Sequence, residues 1–151
     1  MSLRHCVTVL ALIFLFAAPL GAAPRDALET FGFTGEWALR CDAPRALDNP
    51  HRIIRLRRSG SSFTEQQGEA YQPNEYRILA ARRDAQGALL LRVRFAGATQ
   101  ELTIAKQGDQ IRTMRNRDVA SGRLVVDEGV VASNGAPTPW LTRCGPKEGN
   151  Q

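Results

Sequence analysis

Nucleophilic catalysis needs a nucleophile, a base and a group that orients the base. Beyond the N-terminal segment the only histidine is His51, in the run Asp48-Asn49-Pro50-His51 ahead of an arginine-rich stretch. Asp42 and Asp48 could pair with it, but no spacing fixes a serine beside it, so His51 reads as a turn residue. Asp127-Glu128 precedes Gly129 and also reads as a turn, while Glu36 and Glu101 fall in solvent phase. No carboxylate pair therefore stands out for acid–base work, and no catalytic residue is assigned. There is no phosphate-binding glycine loop, no haem motif and no cysteine–histidine set with zinc spacing, so no cofactor and no metal are expected.

The arginines and aromatics offer more. Arg52, Arg55, Arg57 and Arg58 crowd one run, and Arg112, Arg115 and Arg117 another. Most read as a solvated face, with weak attraction to an anionic membrane surface or an acidic partner. Arg115 differs, because it shares phase with Ile111 and Thr113. An arginine pointing inward must be paired, by a carboxylate or by an anionic ligand. Tyr71 and Tyr76 flank Gln72-Pro73-Asn74, a turn expected at the mouth of a cavity. Trp37 and Trp140 are candidate plugs.

Residues 1–22 have the form of a secretory signal peptide. Arg4 and His5 are followed by the apolar run Val7–Ala18, with small residues up to a cleavage site after Ala22. The run is too short to span a bilayer, and no later stretch is long enough, so no transmembrane span is expected in the mature chain. Export removes Cys6 and leaves Cys41 and Cys144, an even pair that is most simply a disulfide in an oxidising compartment. The 151-residue chain carries a net charge of +5, with 18 Arg against 2 Lys. That bias reads as GC-rich coding, which points to a bacterial periplasm. Nucleic acid is disfavoured as a partner for an exported chain.

The elements that must position these residues are short. Residues 23–34 form an N-terminal segment, with a helical turn or two started by Pro24. Residues 35–145 form the domain, and 146–151 a flexible tail. From Gly35 onward the helical period gives way to alternating runs between turn residues. Trp37, Leu39 and Cys41 share a face. So do Ile54 and Leu56, with Ile53, Arg55 and Arg57 opposite them. Tyr76, Ile78 and Ala80 fall together, as do Leu89, Leu91, Val93 and Phe95, and Leu102 with Ile104. Further strands are expected over 122–126, 130–132 and 140–144. No run suits a crossover helix, so the fold is all-β: an antiparallel barrel or sandwich of 8–10 strands with a short helical turn and one disulfide.

Thr34-Gly35-Glu36-Trp37 opens the first strand. It resembles the Gly-x-Trp start of lipocalins and the Thr-Gly-x-Trp start of avidin-like and small periplasmic protease-inhibitor barrels. The chain is thus similar to small exported calycin-type β-barrels, including a small exported proteobacterial family. The Thr-Asp-Tyr motif of lipocalins is absent. Ala38–Asp42 does not match the avidin loop, so biotin binding is not implied. The resemblance implies a barrel with Trp37 as its floor; with the phases of Tyr76 and Arg115 the chain reads as a non-enzymatic binding protein holding a small amphipathic or anionic molecule, Tyr76 as wall and Arg115 as anion contact. The alternative is a periplasmic protein-binding module, an inhibitor or accessory subunit, that uses residues 24–33 as a plug. A third reading is a lipocalin-like isomerase or cyclase.

Overall fold

The computed structural model describes residues 24–57 and 60–145. Residues 1–23, with the expected signal peptide, the tail from 146, Arg58 and Ser59 lie outside the described residues.

Helix α1 (Pro24–Phe31) is followed by β1 (Gly35–Ala38), β2 (His51–Arg57), β3 (Gly60–Gln66), β4 (Asn74–Arg83) and β5 (Leu89–Phe95). Then come β6 (Ala98–Gln107), β7 (Gln110–Asp118), β8 (Leu124–Asp127), β9 (Val130–Val131) and β10 (Leu141–Cys144). Each neighbouring pair is antiparallel. β10 pairs with both β1 and β7, so β10 and β1–β7 close into an eight-stranded barrel, with β8 and β9 added beside β7. Closure removes the free edges that short strands would otherwise expose. A closed antiparallel barrel entered through Gly-x-Trp is consistent with a calycin-like fold.

Period-2 alternation fills the interior. Ile54, Ile78, Leu89, Leu91, Val93, Leu102 and Ile104 are buried, as the strand phases predict, and Phe63 of β3 joins them. Trp37 is fully buried, and its indole Nε1 donates to the Phe33 carbonyl at 2.9 Å. The Arg143 guanidinium lies over its ring at 5.6 Å and donates to the Thr34 carbonyl, so the last strand clamps the entry of the first.

Several phases depart from the sequence reading. Leu39 does not continue the face of Trp37, since β1 ends at Ala38 and Leu39 is exposed. β4 carries a bulge between Ile78 and Ala80, with Leu79 as the extra residue. Ala81, not Ala80, therefore joins Tyr76 and Ile78 on the core side. β7 carries another bulge, with Met114 unpaired between the pairs Ile104↔Thr113 and Thr103↔Arg115. A bulge inserts one residue and reverses the facing of everything beyond it. Here it turns Arg115 outward.

The N-terminal segment is not a free plug. Ala27, Leu28 and Phe31 of α1 are buried, as is Phe33 after it. They belong to the barrel's own core, and Lys106 at the end of β6 donates to the Phe31 carbonyl at 2.9 Å. Burying an aliphatic or aromatic side chain contributes about 1.5–3 kcal/mol, so α1 stabilises the barrel end that it closes.

The disulfide joins Cys41 and Cys144. The register places Cys144 beside Glu36, not beside Cys41. Cys41 stands in the turn after β1, and the bond runs from the end of the last strand to that turn.

Candidate functional site

The end of the barrel opposite α1 is its mouth, where β2 starts, β3 ends and β4 starts. A cavity of about 150 Å³ lies there, lined by Arg52, Phe63, Glu65, Tyr76, Leu102 and Asn116 among others. Val126 of β8 and the following Thr138 and Pro139 line it from the segment between β7 and β10. That segment is fastened to β7. Gly129 N–H donates to the Met114 carbonyl, Thr138 Oγ1 donates to the Thr113 carbonyl at 2.7 Å, and Arg112 Nη2 donates to the Gly129 carbonyl at 2.7 Å.

Arg52 faces inward. It pairs in register with Trp37 and shares the phase of Ile54. Its Nε and Nη2 donate to Glu65 Oε1 at 3.1 and 2.6 Å, and its Nη1 donates to Thr113 Oγ1 at 3.4 Å. Both charged side chains are mostly buried, at 14% and 18% exposure. The pair meets the rule that a buried charge needs a partner. It also leaves the mouth with no net charge.

Tyr76 forms the wall. Its ring stacks between Phe63 and Phe95, each with a centroid at 4.4 Å. Phe33 meets Phe63 edge-on, and Phe31 meets Phe33 likewise, so an aromatic ladder runs from α1 to the mouth. The Tyr76 hydroxyl donates to Glu65 Oε2 at 3.4 Å. Burial pushes its pKa up, and the Glu65 charge adds to that, so the group stays a phenol and a hydrogen-bond donor. Asn116 Nδ2 donates to Gln100 Oε1 at 3.2 Å, but Asn116 Oδ1 is buried with no donor.

The expected site residues are thus divided. Tyr76 lines the cavity. Trp37 lies beside Arg52 but is enclosed in the core. Arg115 is exposed on the outer face, with Arg82, Arg92 and Arg117 around a separate concavity. Trp140 is half-buried and stacks under Arg112 at 5.8 Å, and Tyr71 is exposed. The spacing did carry a signal for Arg52, since it precedes Ile54 by two. It carried the same signal for Glu65, two residues after Phe63. Asn116 enters the cavity through the Met114 bulge, which alternation does not foretell.

His51 is the first residue of β2 and is buried under the loop that follows β1. Asn49 Nδ2 donates to the Arg40 and Pro44 carbonyls and approaches His51 Nε2 at 3.2 Å. A carboxylate oxygen only accepts, so the 2.6 Å contact with Glu36 Oε1 places a proton on His51 Nδ1. Glu36 has the outward phase expected of it, but the loop covers it. Burial raises its pKa, and the bonds from His51 and Arg45 more than offset this, holding the carboxyl below its usual value. The Glu36–His51–Asn49 trio ties the loop carbonyls of Arg40 and Pro44 to the start of β2 and so pins the loop.

Among the described residues no cluster could hold a metal ion, and no helix is long and apolar enough to cross a membrane. Comparison of the chain with protein-family models, with curated proteins and with solved structures gave no match.

Proposed function

We propose that the chain is an exported binding protein whose barrel mouth holds a small amphipathic molecule. The observation that carries this reading is the mouth itself: a cavity of mixed lining, with Phe63, Tyr76, Leu102 and Val126 beside the Arg52–Glu65 pair, and one incomplete polar group, Asn116 Oδ1. A buried acceptor without a donor is unfavourable by about 1–3 kcal/mol. A ligand O–H or N–H would satisfy it. The cavity is smaller than the roughly 300–1,000 Å³ of drug-sized sites. At about 30 Å³ per water in the liquid it equals some five waters, the scale of a short alcohol or amide. Because Glu65 neutralises Arg52, the preferred ligand is uncharged.

Native mass spectrometry of protein purified gently from its own cell envelope tests this. An added small mass that leaves on denaturation supports the reading, and Asn116→Leu is expected to abolish it while the variant stays folded. A bare wild-type chain that also gives no NMR shifts at Tyr76, Leu102 and Asn116 with small alcohols and amides overturns it. The same spectrum reads export, through a mature mass that begins after Ala22.

A further inference from the structure

The outer face of β4–β7 gathers Arg77, Arg82, Arg92, Arg94, Arg115 and Arg117 around one carboxylate, Glu101, with Glu75 next along β4. Two opposite-charge contacts exist there: Arg92 Nη2 and Arg117 Nη2 donate to the two oxygens of Glu101 at 2.8 and 2.6 Å. Among the described residues Arg77, Arg82, Arg94 and Arg115 make no ion pair. Arg77 and Arg94 are direct cross-strand partners. Like charges placed opposite one another destabilise a sheet, so folding alone does not account for this arrangement.

The two bulges built this face. Without the extra residue Leu79, Arg82 would share the inward phase of Tyr76 and Ile78. Without Met114, Arg115 would share that of Ile111 and Thr113. Each bulge sends one unpaired arginine outward, and the two stand at the ends of a single cross-strand row, Arg82↔Leu90↔Thr103↔Arg115. The next row is Ala80↔Arg92↔Glu101↔Arg117. Between them lies a concavity of about 430 Å³ with Leu90 and Thr103 on its floor, a volume within the ligand-site range. Arg82 and Arg115 are three strand spacings apart, about 14 Å, and both line the concavity. Glu101 orients Arg92 and Arg117 but accepts only one N–H from each, leaving the rest of both forks free.

We propose that this outer saddle binds a phosphate-bearing group, independently of the mouth. Guanidinium forks match the oxygens of a phosphate and donate paired N–H groups to it. Several forks around one hollow suit a multiply charged anion better than a single carboxylate, and such binding weakens as salt rises.

The test uses the folded mature protein and two probes. Inorganic pyrophosphate is titrated while backbone amide and arginine Nε–H signals are followed by NMR. Co-sedimentation is measured with phosphatidylcholine vesicles with and without phosphatidylglycerol. Pyrophosphate is expected to shift Leu90, Arg92, Thr103 and Arg115 together. The double variant Arg82→Gln/Arg115→Gln is expected to weaken binding about tenfold or more, whereas Arg55→Gln on β2 leaves it unchanged. Vesicle binding that depends on phosphatidylglycerol and falls in the same double variant assigns the phosphate to a lipid headgroup. Pyrophosphate binding without vesicle binding assigns it to a free solute. Binding of neither probe, or equal loss in the double variant and in Arg55→Gln, overturns the proposal.

Discussion

At the scale of single residues, the mouth is governed by one ion pair. Glu65→Gln leaves Arg52 mostly buried with its charge uncompensated, and is expected to destabilise the fold by about 2–4 kcal/mol. Arg52→Met/Glu65→Leu, which removes both charges, should recover most of that loss, and urea unfolding of the three proteins measures the difference. On the outside, hydrogen bonds from Arg117 and Arg92 hold the Glu101 carboxyl down at about 2, below its ordinary 4.5. A carboxyl depressed by folding stabilises the native state above its unfolded value, and that contribution is lost as pH falls from about 4.5 toward 2. An NMR titration of Glu101 should show the low midpoint, and Arg92→Gln/Arg117→Gln should return it toward the ordinary value. The pair is exposed, so the expected signature is the midpoint and not a large change in unfolding.

At the scale of elements, the hairpin between β5 and β6 turns through Ala96-Gly97, with φ of 47° and 82°. Positive φ at both central residues is the type I′ geometry that suits a two-residue hairpin, and alanine is poorly placed in it. Ala96→Asn is therefore expected to stabilise by about 0.5–1 kcal/mol, read as a higher midpoint in urea at unchanged slope. The turns and the alternation along β5 and β6 were legible in the sequence because each position there obeys a single local rule. The facing of Arg115 was not. Its direction depends on one unpaired residue, Met114, and nothing in Gln110–Asp118 taken alone marks that residue out. The same limit applies to Ala80 and Ala81 in β4. His51 was misplaced for a different reason: its burial comes from a loop folded back over the outer face, which is tertiary and leaves no period. Arg52 and Glu65 have legible phases, two residues from Ile54 and Phe63, but a charged residue in an inward phase gains a meaning only with its partner.

At the scale of the whole molecule, the disulfide spans a sequence separation of 103 residues, and cross-linking a loop of that length contributes up to about 4.7 kcal/mol through the unfolded chain. Reduction is expected to lower the thermal midpoint, with two thiols becoming titratable. An unchanged midpoint with two free thiols would refute the contribution. The seam that this bond guards has a further consequence. β1 finds its second neighbour only in β10, where Trp37 meets Arg143. All the consecutive hairpins from β2 to β7 can form without the last four-residue strand. Until Leu141–Cys144 arrive, the ring is an open ribbon with β1 bare along one side, and no amount of waiting closes it. The final strand thus acts as a latch: the ring is complete only when the last element of the chain is in place between β1 and β7.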